Sequence, residues 1–144
     1  MTAKEYLLRY KKAKLKIKSI EETMMERETA ITSTASSLDG MPRGTDLSDK
    51  TGRLASTMAD KQNEYYWAKV DAFHIMCEVS EAIGRVHDEE YMWLLTMRYI
   101  RGYTWERIAV EMDRTYQWVA GPLHGNALKA FEEIMGNLMP LDSN

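Results

Sequence analysis

The sequence predicts an all-α chain, and three observations carry that prediction. Apolar side chains recur at alternating four- and three-residue spacings through two long segments. Shorter segments follow, opened by Asp88 or Thr104 and closed by Gly102, residues suited to capping and ending helices. No alternation of apolar and polar residues of comparable strength marks a strand.

The first helix is expected to carry Tyr6, Tyr10, Ala13, Ile17, Ile20 and Met24 on one narrow stripe, with Thr2 as its cap. Residues 32–48, TSTASSLDGMPRGTDLS, are rich in Ser, Thr, Gly, Asp and Pro and read as the main loop. A second long helix, over about residues 49–86, places Met58, Tyr65, Ala72, Met76, Val79, Ile83 and Val86 on a heptad frame. Its intervening Gln62 and Lys69 are polar and either set the register of the pair or, the plainer reading, face solvent where it diverges. Two such stripes bury against each other as an antiparallel pair, or against a second copy of the chain in a homodimer. Residues 1–86 therefore read as a helical hairpin and dimerisation unit, residues 87–138 as a separate unit, and residues 139–144 as a tail.

Within the second unit, Asp88 caps a helix carrying Tyr91, Leu94, Leu95, Arg98 and Tyr99 to Ile100, and Gly102 ends it. Thr104 caps the short helix TWERIAVEM, whose Trp105, Ile108, Ala109 and Met112 face one way. The turn Asp113-Arg114-Thr115 then leads into a last helix from Tyr116, with Val119 and Leu123 inward. A short helix, a three-residue turn and another helix is helix-turn-helix punctuation.

Composition limits what such a chain does. At 144 residues it is too short for a (β/α)₈ barrel, while 44% hydrophobic and 28% charged residues fit a folded soluble chain. One cysteine, Cys77, excludes an internal disulfide and multi-cysteine zinc ribbons. No window has the length and apolarity of a signal peptide or of the ~20-residue membrane span, so a cytoplasmic protein without membrane partners is expected. Eleven Met against two Phe point to adaptable core filling. The net charge of −3 is unevenly spread: residues 1–29 sum to +3, residues 30–85 to −2 and residues 86–144 to −4. The acidic carboxy-terminal part runs against the usual basic footprint of a nucleic-acid binder.

The segment LLTMRYIRGYTWERIAVEMDRTYQWV, residues 94–119, resembles region 4 of sigma-70-type transcription factors, through Leu95, Arg98, Tyr99, Gly102, Thr104, Trp105, Glu106, Ile108 and Ala109. Leu123, His124, Gly125, Ala127 and Leu128, with the opening MTAKEYL, the run LDGMPRG and the following SDK, are similar to small phage and prophage regulators of late transcription of the ArpU and RinA types. The resemblance implies that the helix after Thr115 enters the major groove of double-stranded DNA, with RNA polymerase as a further partner. Arg114, Thr115, Tyr116 and Gln117 then sit where a recognition helix reaches base edges. Gln suits adenine, Arg suits guanine or a phosphate, and Tyr or Thr suits a phosphate or a thymine methyl. Trp118 reads equally well as a DNA or partner contact and as core packing. Arg98, Arg101, Arg107, His124 and Lys129 are the candidate phosphate contacts. One departure stands out: Ala120-Gly121-Pro122 interrupts the run to Leu-His-Gly, and is expected to kink or split the helix at a cost of ~3 kcal/mol for the proline and about 1 for the glycine.

Other features point to no chemistry. His74 and Cys77 share a helix face, but two ligands do not make a metal site. Glu89, Glu90 and Glu106 read as acids at helix starts that complement the dipole. No phosphate loop, Ser-His-Asp order or HExxH run is present, so no catalytic residue, metal or cofactor is assigned. Lys11, Lys12, Lys14, Lys16 and Lys18 read first as a solvated helix face and second as an electrostatic footprint. Tyr65, Tyr66, Trp67 and Phe73 read as helix-pair core, and a Tyr66 or Trp67 left outside it as an association surface. The function expected is a phage-derived DNA-binding transcription regulator. The alternatives are a helical protein-interaction adaptor docking through its acidic face, and a small phage packaging protein.

Overall fold

Thr2 and Glu5 close a capping box at the start of the chain. The Thr2 hydroxyl accepts from the Glu5 amide at 3.2 Å, and the Glu5 carboxylate accepts from the Thr2 amide at 2.7 Å. That amide contact holds the Glu5 carboxyl below its ordinary pKa. The box opens α1 (Ala3–Leu7), and a turn at Leu8 separates it from α2 (Arg9–Ser37). The expected single first helix is thus two.

The computed structural model describes residues 1–37 and 45–138. The chain is all-α: after α2 come α3 (Thr45–Gly84), α4 (Glu89–Leu95) with a π-helical turn (Thr96–Ile100), α5 (Trp105–Met112), α6 (Tyr116–Trp118) with a second π-helical turn (Val119–Leu123), and α7 (His124–Leu138). Among the described residues there is no strand, and no helix is long and apolar enough to cross a membrane. The expected loop is shorter than 32–48, because residues 32–37 and 45–48 are helical. Threonine does not stop this helix: Thr23 and Thr29 each return the hydroxyl to a carbonyl one turn back, Ser19 and Met25, at 3.1 and 2.9 Å. The run LDGMPRG and the tail at 139–144 lie outside the described residues.

The chain divides into two compact units, Lys14–Asp71 and a second made of Met1–Ala13 with the chain from Ala72 onward. In the first, the partners of α2 and α3 run in opposite order. The Tyr65 hydroxyl donates to Glu21 at 2.6 Å, and Arg27 donates to the Thr57 carbonyl at 3.4 Å. The two segments are antiparallel. The bond to Glu21 raises the Tyr65 pKa. Ile20 and Ala68 are buried there, while Tyr65 is only partly covered and carries the Lys69 ammonium 4.5 Å over its ring. Gln62 and Lys69 are exposed, as are Tyr66 and Trp67, which stack edge-on at 5.3 Å rather than filling a core.

The second unit holds a dense apolar core. Leu7, Leu94, Leu95, Met97, Ile108, Val119, Phe131 and Met135 are essentially inaccessible, and Ala3, Tyr6, Val79, Ile83 and Val86 join them. Phe131 packs on Tyr6 with ring centroids 5.9 Å apart. Both ends of the first 86 residues contribute to the same buried cluster as the carboxy-terminal part. Arg9 bonds Glu78 at 3.0 Å within that unit. Phe73, expected in a helix-pair core, is 58% exposed.

Candidate nucleic-acid interface

Each segment of this region starts on a side-chain cap. Asp88 accepts from the Tyr91 amide at 3.1 Å, Thr104 from the Arg107 amide at 3.2 Å, and Thr115 from the Trp118 amide at 3.2 Å. The first helix stops at Gly102, whose φ of 70° lets the Tyr103 amide reach back to the Met97 carbonyl at 2.9 Å. Ile108 and Ala109 are buried on the inner face of α5, with Trp105 and Met112 partly covered beside them.

The turn after α5 bends at Asp113, which holds a left-handed backbone at φ 53°, ψ 49°. The Arg114 amide then donates to the Ala109 carbonyl at 3.0 Å, fixing the chain just before the Thr115 cap. Val119 and Leu123 point inward and are buried. On the other side, Arg114, Thr115, Tyr116, Gln117 and Trp118 are all exposed, Tyr116 by 45% and Trp118 by 42%. Trp118 thus lies outside the buried core.

Gly121 and Pro122 do not split the helix. The chain widens into a π-helical turn over Val119–Leu123, and the His124 amide donates back to the Val119 carbonyl, five residues earlier. Proline lacks the amide that a regular turn would use and its ring crowds the preceding turn; the wider turn accommodates both. The helix continues into α7.

The candidate phosphate contacts separate into two groups. Arg101, Arg107 and Lys129 are exposed, with the Arg107 guanidinium 3.7 Å over the Tyr103 ring. Arg98 and His124 instead bind the unit together. Arg98 donates to the Tyr103 carbonyl at 3.1 Å and lies 4.4 Å over the Trp105 ring. Trp105 meets the His124 ring edge-on at 4.7 Å, and His124 Nε2 shares a 2.7 Å hydrogen bond with the buried Tyr99 hydroxyl. Burial lowers the His124 pKa to about 4 and raises that of Tyr99 to about 12. At neutral pH His124 is therefore an uncharged ring in a stack, and offers no positive charge to a phosphate.

Two neighbours had no functional reading in the sequence. Glu90, in the first turn of α4, lies 3.5 Å from the Arg114 guanidinium. Trp93 is 43% exposed. Its position gave the signal, since it falls outside the face set by Tyr91, Leu94, Leu95 and Arg98. The outward side of α5 carries Glu106, Arg107, Val110 and Glu111, with Val110 80% exposed. His74 and Cys77 are exposed, and among the described residues no three His, Cys, Asp or Glu side chains gather as a metal set.

Comparison with protein families, curated proteins and solved structures found no match to this chain.

Proposed function

We propose that this chain is a DNA-binding transcription regulator of the phage late-gene type, which reads the major groove with the helix that starts at Tyr116. One observation carries the reading: five consecutive residues, Arg114 to Trp118, face solvent at a capped helix start whose inner residues Val119 and Leu123 are buried. This is the arrangement in which the first residues of a supported helix meet base edges. Arg114 and Gln117 supply the base-reading chemistry, worth ~1–3 kcal/mol for each good bidentate pair. Arg101, Arg107 and Lys129 supply phosphate contacts. RNA polymerase contact belongs to the same proposal, supported by the exposed apolar Val110 among charged neighbours on α5. Dimerisation through residues 14–71 is supported by the few side chains buried there among the described residues and by the exposed Tyr66 and Trp67.

The test is a fluorescence-anisotropy titration of the full chain against a pool of labelled duplexes at low and moderate salt, beside a variant with Arg114, Tyr116 and Gln117 replaced by Ala. Binding that weakens with salt and is lost in the variant supports the reading. Absence of binding at ~50 mM salt, where non-specific contacts survive, removes it.

A second reading, a protein-interaction adaptor, is favoured by the acidic balance of residues 86–144 together with the exposed Trp93 and Trp118. It predicts no duplex binding and capture of RNA polymerase or another phage protein. A packaging protein would instead assemble as a many-subunit ring, visible as mass in solution.

A further inference from the structure

We infer that Glu90 sets the strength of DNA binding by competing with the nucleic acid for Arg114. The inference rests on the DNA-reading function proposed above and goes beyond it by naming a residue that opposes binding.

The two side chains meet on fixed supports. Glu90 stands in the first turn of α4, whose start is held by the Asp88 cap on the Tyr91 amide. Arg114 follows the left-handed Asp113, and its amide is bonded to the Ala109 carbonyl at 3.0 Å. Only the side chains are left to exchange partners. Their contact is a single oxygen at 3.5 Å, with 52% of the Arg114 side chain and 39% of the Glu90 side chain exposed. A guanidinium has five donors in a planar fork, and a phosphate or a guanine edge offers it a bidentate partner that this contact does not. Exchange of Glu90 for DNA is therefore accessible. It carries two costs: the ion pair is given up, and the released carboxylate stays beside the incoming phosphates. In a region that is already acidic, the second cost adds to the first.

Glu90→Gln removes both costs while keeping the side chain's size. Exposed ion pairs are weak, so the expected gain in duplex affinity at low salt is about three- to fivefold. The part of the gain that comes from the ion pair depends on Arg114, so in an Arg114→Ala background only the smaller charge-repulsion part should remain, a change of less than about 1.5-fold. Glu89→Gln is the charge control: it removes one exposed acid from the adjacent position and should give a smaller gain that does not depend on Arg114. Circular dichroism melting of each variant confirms an unchanged fold.

Equal affinity of the parent and Glu90→Gln overturns the inference while leaving the DNA reading intact. So does an equal gain with and without Arg114, which would make Glu90 a general repulsive charge. Weaker binding by Glu90→Gln also overturns it, since Glu90 would then be holding Arg114 ready for DNA. If none of the proteins binds duplex, the DNA reading falls and the inference falls with it.

Discussion

Acidification should loosen the carboxy-terminal unit through His124, and the effect can be isolated from all other titrations. In the folded chain burial among Tyr99 and Trp105 lowers its pKa from 6.5 to about 4. The unfolded chain therefore takes up the proton first as pH falls. Because the folded value is depressed, the stability contributed by the neutral ring is complete above about pH 6.5 and is lost as pH falls through about 4. At about 1.4 kcal/mol per pH unit the full difference corresponds to about 3 kcal/mol. The ring is partly reached by solvent, which reduces the expected effect to about 1–2 kcal/mol. Urea unfolding followed at about pH 7 and about pH 5 measures it, because a typical slope of ~1.5 kcal/mol per molar turns ~1 kcal/mol into a midpoint shift of roughly 0.7 M. His124→Gln keeps a polar partner for Tyr99 but removes the titration. The exposed His74 and His87 and all the carboxylates remain in both proteins and cancel in the comparison. The variant's midpoint should fall less between the two pH values than the parent's. Parallel falls would refute the claim that burial of this ring couples folding to pH.

Pro122→Ala should change stability by less than about 1 kcal/mol, against the ~3 kcal/mol that proline costs inside a regular helix, because the π-helical turn already accommodates it; urea unfolding measures the difference. Asp113→Gly should raise the melting temperature by a few degrees, since glycine enters the left-handed region without the ~1 kcal/mol strain of other residues, whereas Gly102→Ala at φ 70° should lower it. Phe131→Ala should cost about 3–5 kcal/mol in a denaturant titration, as it empties a fully buried site against Tyr6. Replacing Lys11, Lys12, Lys14, Lys16 and Lys18 by Ser should flatten the salt dependence of duplex binding by about 0.9 in log–log slope for each phosphate that these lysines neutralise, and an unchanged slope would remove them from the interface.

What could be read from the sequence was what local physics decides. Thr2, Asp88 and Thr104 cap helices because short polar side chains reach the free amides that follow, and Gly102 ends one because only glycine takes its backbone cheaply. Val119 and Leu123 follow from a four-residue spacing. What was hidden depends on tertiary packing. Nothing near Arg98 or His124 in the sequence announces that one will lie over Trp105 and the other bond Tyr99, so both looked like surface cations. The ion pair between Glu90 and Arg114 joins residues 24 apart in the chain. Pro122 stands out in the sequence as a helix breaker, but the outcome, a wider turn instead of a break, arises where Val119 and Leu123 are buried on either side. That Val79, Ile83 and Val86 share a cluster with Phe131 was hidden for a related reason: a heptad frame shows that a face is apolar and says nothing of which neighbour covers it.

That shared core gives the chain an order of assembly. Ala3, Tyr6 and Leu7 leave a ribosome well before Phe131 and Met135, which belong to the same buried cluster. The antiparallel segment between Lys14 and Asp71 can pair before α7 is made, whereas the unit carrying the exposed Arg114–Trp118 helix start closes only once α7 has emerged. Until α7 emerges, the capping segment Thr2–Leu7 of a nascent chain waits for its cover. Chains terminated before α7 should be sticky rather than partly active.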